Sequence, residues 1–282
     1  MASLTPRKRL HVKTLLWSDK PDRLCPNGEN PWILPYIHQG SQIRPAVLVI
    51  PGGGYQHVCH GYEGSDVAEA YFELGYNTFV LNYSCGEKHP YPDPLQDAAR
   101  AVKMIRANAE KYFVDPKKII ALGFSAGGHL AGTLGTSIIS RVNAENGDEA
   151  DGVSPRVDGL VLCYPVVEFN DRLGHMWSGV NLLGKPAEEI TDQEIAKFSL
   201  IENIDSKTPP TFLFHTATDQ VVSCAGTLRL TEALNDRKIP TSMMLFPFGP
   251  HGIGLGTEYG LALLWPEFSD EFFRGTLKFD LQ

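Results

Sequence analysis

Residues 119–128 read IIALGFSAGG. The first four are continuously apolar, the pattern of a short strand buried on both faces. Gly123 and Gly127 then bracket Ser125, and a helical pattern opens at His129. A strand that turns sharply into a helix through G-x-S-x-G lifts its serine hydroxyl above the sheet edge. Glycine suits such a turn because it tolerates close backbone approach. The rival reading is a structural turn whose serine caps the following helix. The motif alone does not separate the two, so the flanking sequence must.

Five other runs resemble 119–122: residues 46–50 (AVLVI), 78–81 (TFVL), 159–164 (GLVLCY), 211–215 (TFLFH) and 243–246 (MMLF). Each is short, apolar and bounded by Gly, Pro or polar residues, as buried strands are. Helical spacing appears between them at 65–74, 95–112 and 228–234. Alternation of strand and helix predicts an α/β fold with a mostly parallel, doubly wound sheet. Residues 168–203 interrupt the alternation and read as a short cap-like insertion over the C-terminal edge of the sheet. Within it, Thr191 and Glu194 have the spacing of a capping box. Residues 143–151 (NAENGDEAD) read as an exposed acidic loop.

A serine hydroxyl needs a base, and the base needs an orienting carboxylate. In chain order, serine is followed by acid and then histidine on this kind of scaffold. Asp219, in HTATDQVV, follows the run 211–215; His251, in FPFGPHGIGLG, follows the run 243–246. Both positions lie just past a strand's C-terminal end, where open α/β sheets build ligand sites. Glu168 and Asp171 are competing acids. Asp219 is preferred because it follows the penultimate strand. Of the other histidines, His215 ends a strand and reads as core, His129 lies in the helix after Ser125, and His57 and His60 lie near the first glycine cluster.

That cluster is Pro51-Gly52-Gly53-Gly54-Tyr55, directly after 46–50. Acyl transfer builds negative charge on a carbonyl oxygen, and preorganised N–H groups stabilise it. The expected donors are the N–H groups of Ala126 and of Gly53 or Gly54. A phosphate loop is excluded, since neither G-x-G-x-x-G nor G-K-[ST] is present. Tyr55, Gln56, His57, Tyr62, Glu63 and Trp177 are candidate substrate-binding residues, because aromatic faces stack on sugar rings. Glu63 either hydrogen-bonds a sugar or favours the N-terminus of the next helix.

Size and charge fit this picture. The chain has 282 residues, 43% hydrophobic and 21% charged, enough for one α/β domain over residues 1–282. A net charge of −8 opposes a nucleic-acid partner and disfavours polyanionic substrates. Five cysteines without C-x-x-C spacing imply neither a zinc site nor a disulfide framework. Free thiols suit a reducing compartment. The basic N-terminus has no apolar stretch of signal length behind it, and no run is long enough to span a membrane. A cytoplasmic protein without a membrane partner is expected; a homo-oligomer is compatible with the sequence.

Several stretches resemble the acetyl-xylan-esterase-like, bacterial feruloyl-esterase-like branch of the α/β-hydrolase superfamily. They are VIPGGGYQHV, GYNTFVLNYS, DPLQDAARAVKMIRANAEKYFVDPKKIIALGFSAGGHLAG, LCYPVV, NLLG, PPTFLFHTATDQVV and FPFGPHGIGL. The usual H-G-G motif starts here with Pro51. The resemblance implies a Ser125, Asp219, His251 triad and an oxyanion hole of Gly53, Gly54 and Ala126. It implies an acyl-enzyme mechanism with no metal or organic cofactor, acting on short acyl esters, acetyl above all, of sugars or small alcohols. Feruloyl esterase, formamidase and peptidase activities are alternatives on the same scaffold, and a non-catalytic binding protein is a further one.

Overall fold

The structure, a computed structural model, describes residues 12–281. Residues 1–11, on which the expected lack of a leader rests, lie outside the described residues. Two strands absent from the sequence reading come first, β1 (Thr14–Leu15) and β2 (Trp32–Tyr36). The six expected strands follow as β3 (Arg44–Ile50), β4 (Asn77–Asn82), β5 (Val114–Phe124), β6 (Gly159–Cys163), β7 (Thr211–Thr216) and β8 (Thr241–Phe246). The helices are α1 (Asp66–Glu73), α2 (Asp93–Ala107), α3 (Ser125–Gly135), α4 (Met176–Leu183), α5 (Asp192–Phe198), α6 (Cys224–Asp236) and α7 (Trp265–Leu277).

The strands form one sheet in the order β1-β2-β4-β3-β5-β6-β7-β8. Pairs β1–β2 and β2–β4 are antiparallel, and every other pair is parallel. Pro35 explains why β2 escapes a pattern reading, since proline disfavours a central strand. Here Pro35 lies beyond the two residues paired with β1, so that side of the strand has no ladder to break.

Side chains alternate across the sheet. Ala46, Leu48 and Ile50 of β3 pack under α2, α3 and α6, with Leu95, Leu130 and Leu230 in the same core. Val47 and Val49 face the other layer, built on Tyr71 and Phe72 of α1 and Trp265 and Phe273 of α7. The chain runs from β3 to β4 on one side and returns to β5 on the other. The order therefore reverses between β3 and β5, where a crevice opens at the strands' C-terminal ends.

Residues 168–203 lie between β6 and β7 and contain α4 and α5. Thr191 and Glu194 cap α5 reciprocally. The segment 143–151 is largely exposed, as expected, with Asn143, Glu145, Gly147, Asp148 and Glu149 open to solvent, but it is also anchored to the core. Ala144 and Ala150 are buried, and Asp148 and Asp151 turn inward to Arg100 of α2. A buried guanidinium recruits those carboxylates, because an unpaired buried charge is costly.

A second buried pair anchors the N-terminal segment. Asp97 of α2 is fully enclosed; it is ion-paired with Arg23, Nε to Oδ1 at 2.8 Å, and accepts from Trp17 Nε1 at 2.6 Å and the Ser84 N–H at 2.8 Å. Arg23→Ala would strand that carboxylate. It should cost about 3–5 kcal/mol, read as a lowered urea midpoint with an unchanged slope.

Candidate active site

The two loops that end β3 and β5 are pressed together. In register, Ile50 pairs with Gly123, so Pro51 and Gly52 run beside Phe124 and Ser125. A Cβ on Gly127 would lie 2.3 Å from the carbonyl oxygens of both Ile50 and Pro51. Glycine is required there by contact. Ser125 occupies φ 54°, a left-handed conformation that costs an L-residue on the order of 1–3 kcal/mol. Phe124, not Ser125, occupies the cap position of α3, and Ser125 is the helix's first residue. Ser125 Oγ lies 2.9 Å from His251 Nε2.

His251 Nδ1 lies 2.7 Å from Asp219 Oδ2. A carboxylate only accepts, so Nδ1–H donates to it and Nε2 is left to accept from the Ser125 hydroxyl. Asp219 is held by its own loop, accepting N–H bonds from Val221 at 2.8 Å and Val222 at 2.9 Å. His215 Nε2 lies 3.3 Å from it. Burial alone would raise this carboxyl's pKa; the hydrogen bonds from His215 and His251 outweigh burial and hold it far below the usual range. Asp219 is therefore an anion throughout the working range. The competing acids are engaged elsewhere. Glu168 accepts from Ser199 Oγ at 2.8 Å and Asn170 Nδ2 at 2.8 Å, and Asp171 accepts the Met176 N–H at 3.1 Å.

Gly53 and Gly54 have φ of 132° and 63° and line the same cleft as Ser125 and His251. Among the described residues no backbone group outside the helices and strands accepts from the N–H of Gly53, Gly54 or Ala126. The cleft holds about 250 Å³. Gln56, His57, Tyr62 and Trp177 line it, as does His175, which the sequence reading missed. Trp177 is 53% exposed, an accessible indole face at the mouth.

Two expected substrate contacts are corrected. Tyr55 is fully buried; its φ of 58° swings the side chain under the loop. There its hydroxyl meets His129 Nδ1 at 2.7 Å, and His129 Nε2–H donates to the Phe198 carbonyl at 2.8 Å. Tyr55 thus pins the glycine loop to α3 and, through His129, to the end of α5. Glu63 is 2% exposed, and both its oxygens are taken by protein donors, the Gly52 N–H at 2.9 Å and Tyr164 Oη–H at 2.8 Å. It borders the cleft, with each oxygen already serving a protein donor. His60, also considered for the pocket, bonds Asn82 Oδ1 at 2.8 Å and stacks on Trp32.

Burial lowers the pKa of His129 to about 4. The folded chain therefore keeps this ring neutral while the unfolded chain protonates it below about pH 6.5. Its contribution to stability is present above pH 6.5 and is lost as the pH falls towards 4. The stability advantage of the wild type over His129→Gln should shrink by on the order of 3 kcal/mol over that window. Urea unfolding of both chains at several pH values reads it, and a constant gap would contradict a buried neutral ring.

The matches with known proteins agree with this architecture. Residues 34–234 match the BD-FAE family. Endo-1,4-beta-xylanase B of Butyrivibrio fibrisolvens is 38% identical over 251 residues, covering 88% of this chain and 36% of that protein. Acetylxylan esterase of Xylanibacter ruminicola is 28% identical over 220 residues, covering 76% of this chain and 42% of that protein. The chain thus spans well under half the length of these curated relatives. Among solved structures, an acetyl ester-xyloside bifunctional hydrolase from Caldicellulosiruptor lactoaceticus aligns at TM-score 0.84 and 34% identity, covering 97% of this chain and 98% of that one. An esterase from Thermogutta terrifontis with propionate bound shares the fold at TM-score 0.74 and 23% identity, covering 94% and 93%. On the family match, the long alignments and the sheet topology, this chain belongs to the BD-FAE family and has the α/β-hydrolase fold.

Proposed function

We propose that this chain is a serine esterase that removes short acyl groups, acetyl in particular, from esters of sugars or small alcohols. The observation that carries the reading is the unbroken hydrogen-bond line from Ser125 Oγ through His251 to Asp219, at 2.9 and 2.7 Å. In the first half-reaction His251 Nε2 takes the proton as Ser125 Oγ attacks the ester carbonyl. The N–H groups of Gly53, Gly54 and Ala126 receive the oxyanion. Protonated His251, steadied by Asp219, gives that proton to the departing alcohol and leaves an acyl-serine. Water repeats the sequence, releasing the carboxylic acid and restoring Ser125.

The cleft supports a short acyl group. Its volume of about 250 Å³ falls below the roughly 300–1,000 Å³ of pockets that enclose drug-sized ligands. That favours acetyl over feruloyl. Trp177, with Gln56 and His57 beside it, offers a stacking face and polar atoms to a sugar ring. The names of the relatives, an acetylxylan esterase and an acetyl ester-xyloside hydrolase, support the same substrate class. Among the described residues no helix is long and apolar enough to cross a membrane, and no His, Cys, Asp and Glu cluster could hold a metal.

Ser125→Ala should abolish hydrolysis of p-nitrophenyl acetate without lowering the melting temperature; turnover at the wild-type rate would end the assignment. Asp219→Asn should cut kcat by roughly 10⁴-fold. Across an acyl-length series on xylo-oligosaccharide esters, kcat/KM should be highest for acetyl and should fall sharply at feruloyl.

A further inference from the structure

Glu63 is a buried acid beside the reacting centre that the mechanism above does not use. It sits on a single π-helical turn, Gly61–Ser65, just before α1. Its Oε2 holds the Gly52 N–H at 2.9 Å and its Oε1 holds the Tyr164 hydroxyl at 2.8 Å. The same hydroxyl accepts the N–H of Gly254 at 3.0 Å. Gly52 precedes the oxyanion glycines and Gly254 follows His251 by three positions. One carboxylate therefore joins the loop that stabilises the oxyanion to the loop that carries the base. The Tyr164 ring lies 5.1 Å from the His251 ring, edge to face, so the link passes directly behind the imidazole.

The donors fix the protonation state. The Gly52 N–H can only donate to Oε2. Gly254 also only donates, which turns the single proton of the Tyr164 hydroxyl towards Oε1. A protonated Glu63 would leave one of these buried donors without an acceptor, at a cost of about 1–3 kcal/mol. Every donor is satisfied when Glu63 is an anion.

We propose, building on the serine-esterase reading, that Glu63 is a positioning residue that acts as a buried carboxylate. It holds the glycine and histidine loops in one geometry through Tyr164, and its charge favours the protonated form of His251. A carboxylate near the imidazole stabilises the imidazolium that both half-reactions pass through. Burial, the largest effect, leaves the pKa of Glu63 above the usual carboxylate range, and the Tyr164 and Gly52 hydrogen bonds and the charge of His251 offset it only in part; the anionic form is inferred from the geometry of the three donors. The other titratable groups facing it do not compete. Cys59 and Tyr62 on its own segment, Tyr83 after β4, and Cys163 and Tyr164 at the end of β6 all have pKa values pushed up by burial and remain neutral. Around His251 itself stand Asp219, held as an anion, and His175, whose pKa is lowered by burial and by the charge of His251. Glu63 and Asp219 are thus the two anions that act on the base.

The test uses the full chain, p-nitrophenyl acetate and three variants. Glu63→Gln should fold, keep KM within about twofold and lose at least about tenfold in kcat. Its acid limb of kcat/KM should move to lower pH by about half a unit or more, because the imidazolium has lost a neighbouring anion. Glu63→Asp, which keeps the charge, should return the limb towards the wild-type position while kcat stays reduced. Tyr164→Phe leaves the carboxylate but cuts the link to Gly254, so kcat should fall at least about tenfold. A Glu63→Gln limb superimposed on the wild type would overturn the electrostatic role. A Tyr164→Phe kcat within twofold of wild type would overturn the loop link, and decides the matter if Glu63→Gln does not fold. Failure of the esterase reading looks different: the wild type, or Ser125→Ala, would give the aberrant result before any Glu63 variant was compared.

Discussion

The backbone of Gly127 runs so close to the carbonyls of Ile50 and Pro51 that no side chain fits between them. The site depends on that contact. It sets the start of α3 against the end of β3, where strand order reverses, and forces Ser125 into its left-handed turn. The same contact brings the amides of Gly53 and Gly54 to the cleft that Ser125 enters. The hydroxyl of Ser125 and the amides of Gly53 and Gly54 come from loops more than seventy residues apart in sequence. Direct backbone packing holds such distant loops in a fixed relation more tightly than a side-chain contact that can change rotamer.

Around this contact the protein places buried polar groups where a purely apolar core would be simpler. Tyr55 and His129 pin the glycine loop from beneath, and Glu63 and Tyr164 pin it from the side. Asp97 does comparable work for the N-terminal segment. Each such group is costly to bury alone, and each has its partners. The reward is orientation: a hydrogen bond has a direction, whereas apolar contact tolerates sliding. Catalysis by preorganised donors requires loops that do not slide.

What could be read in advance follows from how local each signal is. Six of the strands, β3 to β8, contain short apolar runs, and Ser125, Asp219 and His251 each stand a few residues past one of them. Strand placement therefore carried the spatial grouping of the three. β2 was hidden by Pro35, whose tolerance depends on where β1 ends. Tyr55 was assigned to the wrong side of its loop because its direction follows from a φ of 58°, which residue type does not announce. Glu63 reads in sequence as a sugar ligand or a helix-start charge, because its partner Tyr164 lies 101 positions away, beyond any periodicity. The segment 143–151 is solvent-facing acid as its composition implies, but its anchor, the buried Arg100, belongs to a distant helix and leaves no local signal. Sequence pattern reveals which positions are apolar and where chains turn, but the pairing of buried polar groups emerges only once the sheet is assembled.

The three groups of the site do not rest on equally firm ground. Ser125 and Asp219 follow strands buried along most or all of their length, whereas β8, which leads to His251, is the sheet's edge strand and partly exposed throughout. Edge elements open more readily than central ones. On heating or in mild denaturant, the histidine loop should come loose while the nucleophile and its acid are still in place. Such a molecule would be silent as a catalyst yet compact by every global measure.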